Sequence, residues 1–335
     1  LVEIAKVVKR FGGIYITHMR SEGDKLLESI DETIRISRES GIAAEIYHLK
    51  ASGARNHAKG PQSIARIEAA RAAGLDVQAN MYPYTAGATG LSSCLPPWSA
   101  ADGKLFENLA SQEVRAKLRA EMERATFDWE NMCELATPPN VLISRLNTPA
   151  LAQYAGKRLD VIAAAMNTDW IEAVMNLILG ERNRVETTYF LMDEANVRLN
   201  LQQSWMKIGT DAGAVDPATF RGLVHPRALG TFPRILGRYV RDERLIPLED
   251  AIRKMTSATA TRLSLHQRGL LKPGMFADVV VFDPATIADQ ATFAQPLQVS
   301  TGVRDVFVNG VAVLRGGAHT GAKPGQIVRG PGYQK

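Results

Sequence analysis

Two short β-branched runs, Ile14 to His18 and Ala43 to His48, each end in a histidine, and an amphipathic helix follows each. This repetition limits the fold more than any other feature of the chain. The first helix is expected over Asp24 to Ser40, with Leu26, Leu27, Ile30 and Ile34 at helical spacing. Ser21 followed by Asp24 fits a capping box, and Gly41 fits a C-terminal stop. In the second unit Pro61 fits the first helical position, Ile64, Ile67 and Ala70 the buried face, and Gly74 the stop. Asp76 to Tyr84 reads as a third strand. Strands alternating with helices imply parallel β/α units with right-handed crossovers, wound either as an open sheet or as a closed barrel. No GxGxxG or GxxxxGK[ST] loop follows any of these strands, which removes the main reason to choose a nucleotide-binding sheet. Polar residues at the strand ends favour the barrel. The expected class is α/β, a partial (β/α)8 barrel of the TIM type.

Residues 85–205 are less regular. Ala100 to Arg124 and Arg158 to Leu179 read as helices inserted around the strands Val141 to Leu146 and Val185 to Met192. Trp205 to Asp211 reads as the last barrel strand, and Pro247 opens a helix to about Leu265. From Arg268 the pattern becomes short strands: Ala277 to Phe282, Val303 to Val308 and Val311 to Leu314, with Asn309-Gly310 as a hairpin signal. The expected division is a barrel over residues 1–267 and a small β domain over 268–335.

Composition narrows the function classes. The net charge of +5 is spread over Arg-bearing helices and forms no basic block, so no nucleic-acid partner is expected. No apolar run approaches the roughly 20 residues of a membrane helix, so no membrane partner is expected either. Cys94 and Cys133 lie far apart without CxxC spacing, which suggests neither a disulfide framework nor a cysteine zinc knot. Cys94 is expected as a buried structural thiol and a cytoplasmic location is compatible. The chain opens on Leu1, and Leu1, Ile4, Val7 and Val8 fall at helical spacing, so it is expected to begin inside a longer protein.

The strand ends carry the candidate chemistry. In a closed β/α barrel the C-terminal strand ends converge on one mouth, where active sites are built, and His18 and His48 then become neighbours. Neutral imidazole suits zinc, and Asp211 adds a carboxylate at another strand end. The plainer reading, a histidine bonding locally, explains one such residue better than two at equivalent places. Strand parity puts Lys50 on the side of His48, Arg20 on that of His18, and Tyr82 with Tyr84. With Arg227 in the loop after Asp211, they suggest a substrate bearing a carboxylate. His225 lies close enough in sequence to approach the mouth; His57, His266 and His319 are expected at the surface.

These residues resemble the N-acyl-D-amino-acid deacylases, or D-aminoacylases, of the amidohydrolase superfamily. The resemblance rests on Thr17-His18-Met19-Arg20 with Glu22-Gly23, His48-Leu49-Lys50, Tyr82-Pro83-Tyr84-Thr85, Gly209-Thr210-Asp211 and His225-Pro226-Arg227. It continues through Gly230-Thr231-Phe232-Pro233-Arg234, Gly274-Met275-Phe276-Ala277-Asp278 and Val308-Asn309-Gly310. It implies a β/α barrel with a small β-sandwich built from both chain ends, and one or two divalent metals, zinc foremost. His18 and His48 would be the ligands on strands five and six. Asp211 would be the strand-eight general base and acid, and Lys50, Tyr82 and Arg227 the contacts to the substrate carboxylate. The superfamily's strand-one His-x-His pair and its bridging ligand, a cysteine in this family, are expected upstream of Leu1. A barrel without its first staves exposes strand edges, which predicts poor stability or aggregation. The expected reaction is hydrolysis of N-acyl-D-amino acids. The rival readings are cyclic amide opening of the dihydroorotase or hydantoinase kind, and a fragment that is not itself catalytic.

Overall fold

The structure, a computed structural model, describes residues 1–124 and 128–333. Helix α1 (Val2–Arg10) leads into strand β1 (Tyr15–Thr17), helix α2 (Leu26–Ser40), strand β2 (Ala44–Ile46), helix α3 (Lys59–Ala72) and strand β3 (Val77–Met81). After an insertion carrying β4 (Ala86–Gly90), β5 (Val141–Arg145) and β6 (Glu186–Phe190), the chain returns to add β7 (Met206–Ile208) beside β3. The resulting sheet, β1-β2-β3-β7, is parallel throughout, with Ile16 paired to Glu45, Glu45 to Gln78 and Ala79 to Met206. The mixed α/β class with a parallel sheet is thus as the periodicity suggests.

The two faces of this sheet are chemically distinct, as period-two alternation requires. Ala44, Ile46, Val77 and Ala79 belong to a buried apolar cluster with Leu26 and Ile30 of α2 and Ile67 of α3. Full burial of each Val, Leu or Ile side chain contributes roughly 1.5–3 kcal/mol before entropy is counted. The intervening residue Glu45 is buried with Lys207 Nζ at 3.0 Å and Arg262 Nε at 2.9 Å, so its charge is paired where it is desolvated. Helix α2 ends at Gly41 with φ of 67°, the left-handed stop the sequence implies.

The insertion has its own architecture. Strands β4, β6 and β5 form an antiparallel sheet backed by a second apolar cluster that includes Leu91, Ile143, Leu159, Leu177 and Tyr189. The sequence reading captured β5 and β6 but not β4, whose run Ala86 to Gly90 has no β-branched residue before Thr89. The helix Glu194–Gln202 also went unread, because its polar residues outnumber its apolar ones. The inserted helical stretches are shorter than expected, with Arg158 to Leu179 divided into Leu159–Ala165 and Trp170–Glu181. At the C-terminal end, β8 (Val279–Phe282), β9 (Val303–Val308), β10 (Val311–Arg315) and β11 (Ala318–His319) form an antiparallel sheet. Asn309 and Gly310 turn between β9 and β10 with φ of 50° and 81°, as the hairpin signal requires.

Three local expectations are corrected. Cys94 is no free thiol: it is bonded to Cys133 across 39 residues, because the inserted fold brings the loop after β4 against the helix Met132–Ala136. The capping box does not form: α2 begins at Leu26 with Lys25 as its N-cap and no side-chain cap, and the Ser21 hydroxyl accepts from Lys25 N at 3.1 Å within the preceding loop. Pro61 stands at the third helical position, not the first, since α3 starts at Lys59. No helix among the described residues is long and apolar enough to cross a membrane.

Candidate metal and carboxylate site

β1 and β2 each deliver a histidine just beyond their last residue. His18 Nδ1 lies 3.1 Å from His48 Nε2, with the rings edge to face. His48 sits in left-handed backbone at φ 36°, and Asp211, beyond β7, does so at φ 48°. Such conformations cost a non-glycine residue about 1–3 kcal/mol and tend to persist where a functional geometry demands them. His48 is held there by its own N–H, which donates to Asn80 Oδ1 of β3 at 2.8 Å. The next residues are strapped by Leu49 N to Asn80 O and by Asn200 Nδ2 to Leu49 O, at 2.9 and 3.0 Å.

Lys50 comes beside His48 by this strap and not by strand parity, since β2 ends at Ile46. Its Nζ lies 2.6 Å from His48 Nδ1 and 2.6 Å from Glu22 Oε1. Glu22 appears in the sequence reading only as part of a motif, yet it is buried and also lies 2.8 Å from His48 Nδ1 and 3.7 Å from His18 Nδ1. Burial acts to raise its carboxyl, but the Lys50 ammonium and the His48 hydrogen bond outweigh that and hold it at about 2. The position four residues after His18 was the signal available for it. Glu130, from the insertion, was also missed. Its Oε1 accepts from Ser21 Oγ, Glu22 N and Gly23 N at 2.6, 2.7 and 2.6 Å, pinning the loop that carries Glu22.

Arg227 is buried with its guanidinium 4.4 Å above the Tyr82 ring and Nη2 2.9 Å from Asp211 Oδ2. Its Nε and Nη1 are buried without a hydrogen-bond partner among the described residues. Tyr82 is buried with its hydroxyl 3.9 Å from Met192 Sδ, and that burial raises its pKa. Asp211 is 41% exposed at the side chain and lines the same cavity, of about 820 Å³, as His18, His48, Lys50, Tyr82 and Arg227. His18, His48, Lys50, Tyr82, Asp211 and Arg227 therefore border one space. The insertion closes its far side with Ser144, Arg145 and Thr188, none of which periodicity could have placed there. Ser52, whose buried hydroxyl has no partner among the described residues, lines it as well.

Of the other candidates, His225 also lines this cavity, as its place in the sequence suggests, whereas Arg20 and Tyr84 do not. Arg20 points away and pairs with Glu32 at 2.9 Å, because β1 stops at Thr17 and parity fails beyond it. Tyr84 packs against His225 and Phe293, with its hydroxyl 3.5 Å from Asp289 Oδ2. His225 donates from Nε2 to Ala86 O at 2.8 Å while Nδ1 accepts from Arg227 N at 3.1 Å. Burial, then the Arg227 charge, pushes this imidazole down to about 3, so it is a neutral brace for the loop before Arg227. His57 is half-buried, with Nε2 3.0 Å from Leu191 O, which corrects its assignment to the surface.

Residues 200–314 match the Amidohydrolase family. A D-aminoacylase of Alcaligenes xylosoxydans xylosoxydans is 35% identical over 328 residues, covering 98% of this chain and 57% of that protein. The chain is similar to amidohydrolases along nearly all of its length. Its fold agrees with that of a D-aminoacylase crystal structure at a TM-score of 0.74 and 34% identity, over 96% of this chain and 57% of the other. It also agrees with N-acyl-D-glutamate deacylase from Bordetella bronchiseptica, solved with zinc and a phosphonate mimic of the tetrahedral intermediate, at 0.73 and 30%, over 93% and 55%. The chain spans a little over half the length of the relatives it matches.

Proposed function

We propose that the protein carrying this chain hydrolyses the amide bond of N-acyl-D-amino acids with the help of zinc, releasing a carboxylate and a free D-amino acid. The observation that carries the reading is the cavity in which two histidine nitrogens face each other beside a buried Arg227 with unpaired N–H groups. The His18–His48 pair fits a cation, because two imidazole lone pairs at 3.1 Å need a proton or a metal between them. The orphaned Arg227 groups fit a carboxylate, which would satisfy an otherwise costly burial.

His18 and His48 are the proposed ligands. These two imidazoles would hold a zinc ion, which would supply Lewis-acid activation of the amide carbonyl and of the attacking water. Asp211 takes the proton of the attacking water and hands it to the departing amine, which an amide needs in order to leave. Lys50, Tyr82 and Arg227 hold the α-carboxylate, so that one stereoisomer presents its scissile bond. The names of the relatives support linear N-acyl-D-amino acids as substrates, and the carboxylate-binding groups favour them over cyclic amides. In architecture, β1, β2, β3 and β7 are read as staves of a β/α barrel over residues 1–267, with 268–335 as a small β domain contributing to a sandwich.

The test is hydrolysis by the zinc-loaded protein of N-acetyl-D-amino acids, their L isomers, and hydantoins. Turnover confined to the D series is expected. Hydantoin opening without deacylation would reject the reading.

A further inference from the structure

We infer that Glu22 is a positioning residue: it accepts the Nδ1 proton of His48 and so leaves Nε2 open to a metal ion. This rests on the metal-dependent reading above. A neutral imidazole offers a lone pair on one nitrogen only if the proton resides on the other. Nε2 is the nitrogen that faces His18, so the proton must sit on Nδ1. Two groups contact Nδ1, Lys50 Nζ at 2.6 Å and Glu22 Oε1 at 2.8 Å. The ammonium has donors only and cannot receive a proton in a hydrogen bond. The carboxylate can.

The same geometry shows what happens without Glu22. Lys50 would then donate to Nδ1, the ring proton would move to Nε2, and that N–H would point at His18 Nδ1 and close the gap to a cation. Glu22 Oε1 also receives Lys50 at 2.6 Å, so one oxygen fixes the histidine and occupies the lysine that otherwise competes for it. The carboxylate is itself held, because Glu130 binds the backbone of Glu22 and Gly23. A carboxylate orienting a ligating imidazole from behind is a general device of metal sites. Glu22 also stands near enough to His18 and His48 to be a ligand itself, since one donor atom from each lies within 4.8 Å of the others. That alternative makes a different prediction.

The deciding experiment compares Glu22→Gln, which keeps an acceptor oxygen, with Glu22→Met, which has none. Zinc affinity is measured by chelator competition, and the visible spectrum is recorded with cobalt in place of zinc. We expect Glu22→Met to bind zinc about 10–100-fold more weakly and Glu22→Gln to recover most of that loss. The cobalt spectrum of Glu22→Gln should superimpose on that of the unaltered protein. Equal losses in both variants with a changed cobalt spectrum would make Glu22 a ligand and overturn the inference, as would unchanged zinc affinity in Glu22→Met. If Glu22→Met does not fold, Glu22→Gln and its spectrum still decide. Absence of zinc binding by the unaltered protein overturns the metal reading and this inference together, an outcome distinct from the others.

Discussion

His18 Nδ1 and His48 Nε2 face each other across 3.1 Å from the ends of adjacent parallel strands. A ligand that binds only this folded arrangement stabilises it by mass action. Zinc at one hundred times its dissociation constant should add about 2.7 kcal/mol to unfolding. Calorimetry with and without zinc should show the melting temperature rise in the unaltered protein and stay fixed in His18→Ala or His48→Ala. An equal rise in both variants would place the metal elsewhere.

Asp211 tests the acid–base assignment. Asp211→Asn should retain zinc while kcat falls by about 10²–10⁴, the usual contribution of a positioned proton carrier. Metal analysis beside steady-state kinetics separates the two effects. Near-normal turnover would reject the role.

Arg227 tests the carboxylate clamp. Charged hydrogen bonds contribute roughly 1.5–3 kcal/mol, so Arg227→Met should raise KM by about 10–100-fold. The same variant should treat an N-acyl amine that lacks the carboxylate as the unaltered protein does. A loss of equal size on both substrates would mean that the residue acts only by packing over Tyr82.

His225 sets a pH dependence. Its folded pKa is depressed from 6.5 to about 3, so between these values the unfolded chain binds more protons than the folded one. The contribution is full above pH 6.5 and is lost progressively as pH falls towards 3, with an upper bound of about 5 kcal/mol. Urea unfolding from pH 8 to pH 4 should show this slope flattened in His225→Gln. A parallel slope in that variant would assign the acid sensitivity to other groups.

The Cys94–Cys133 bond spans 39 residues, and its removal in a Cys94→Ser, Cys133→Ser double variant should cost about 2–4 kcal/mol. Denaturant melts with and without reductant measure this. Insensitivity of the unaltered protein to reductant would argue against the pairing.

The sequence made the parallel frame legible because its signals are local. Leu26 and Ile30 of α2, and Ile64 and Ile67 of α3, repeat at helical spacing, and Gly41, Asn309 and Gly310 occupy the left-handed turns their types favour. His18, His48 and Asp211 were legible as strand-end polar residues. What escaped depends on contacts distant in the chain. Glu130 reaches Gly23 across 107 residues, and the Cys94–Cys133 pairing follows from the inserted fold. Arg20 and Lys50 show the same limit from opposite sides. Parity was applied past the ends of three-residue strands, and only the strap through Asn80 and Asn200 placed Lys50 where parity had put it.

The three hydrogen bonds from Ser21, Glu22 and Gly23 to Glu130 bear on how such a protein can diversify. The segment between β3 and β7 builds the far wall of the cavity and looks like an exchangeable cassette. It is not freely exchangeable. A replacement wall must also present an acceptor to those donors, or the Glu22 N–H loses its partner and the Gly23 N–H keeps only its 3.3 Å bond to Ser21 Oγ. Recombination that alters substrate choice is thereby coupled to the integrity of the loop beneath it, and chimaeras made at these boundaries should succeed chiefly when the donor segment brings its own counterpart of Glu130.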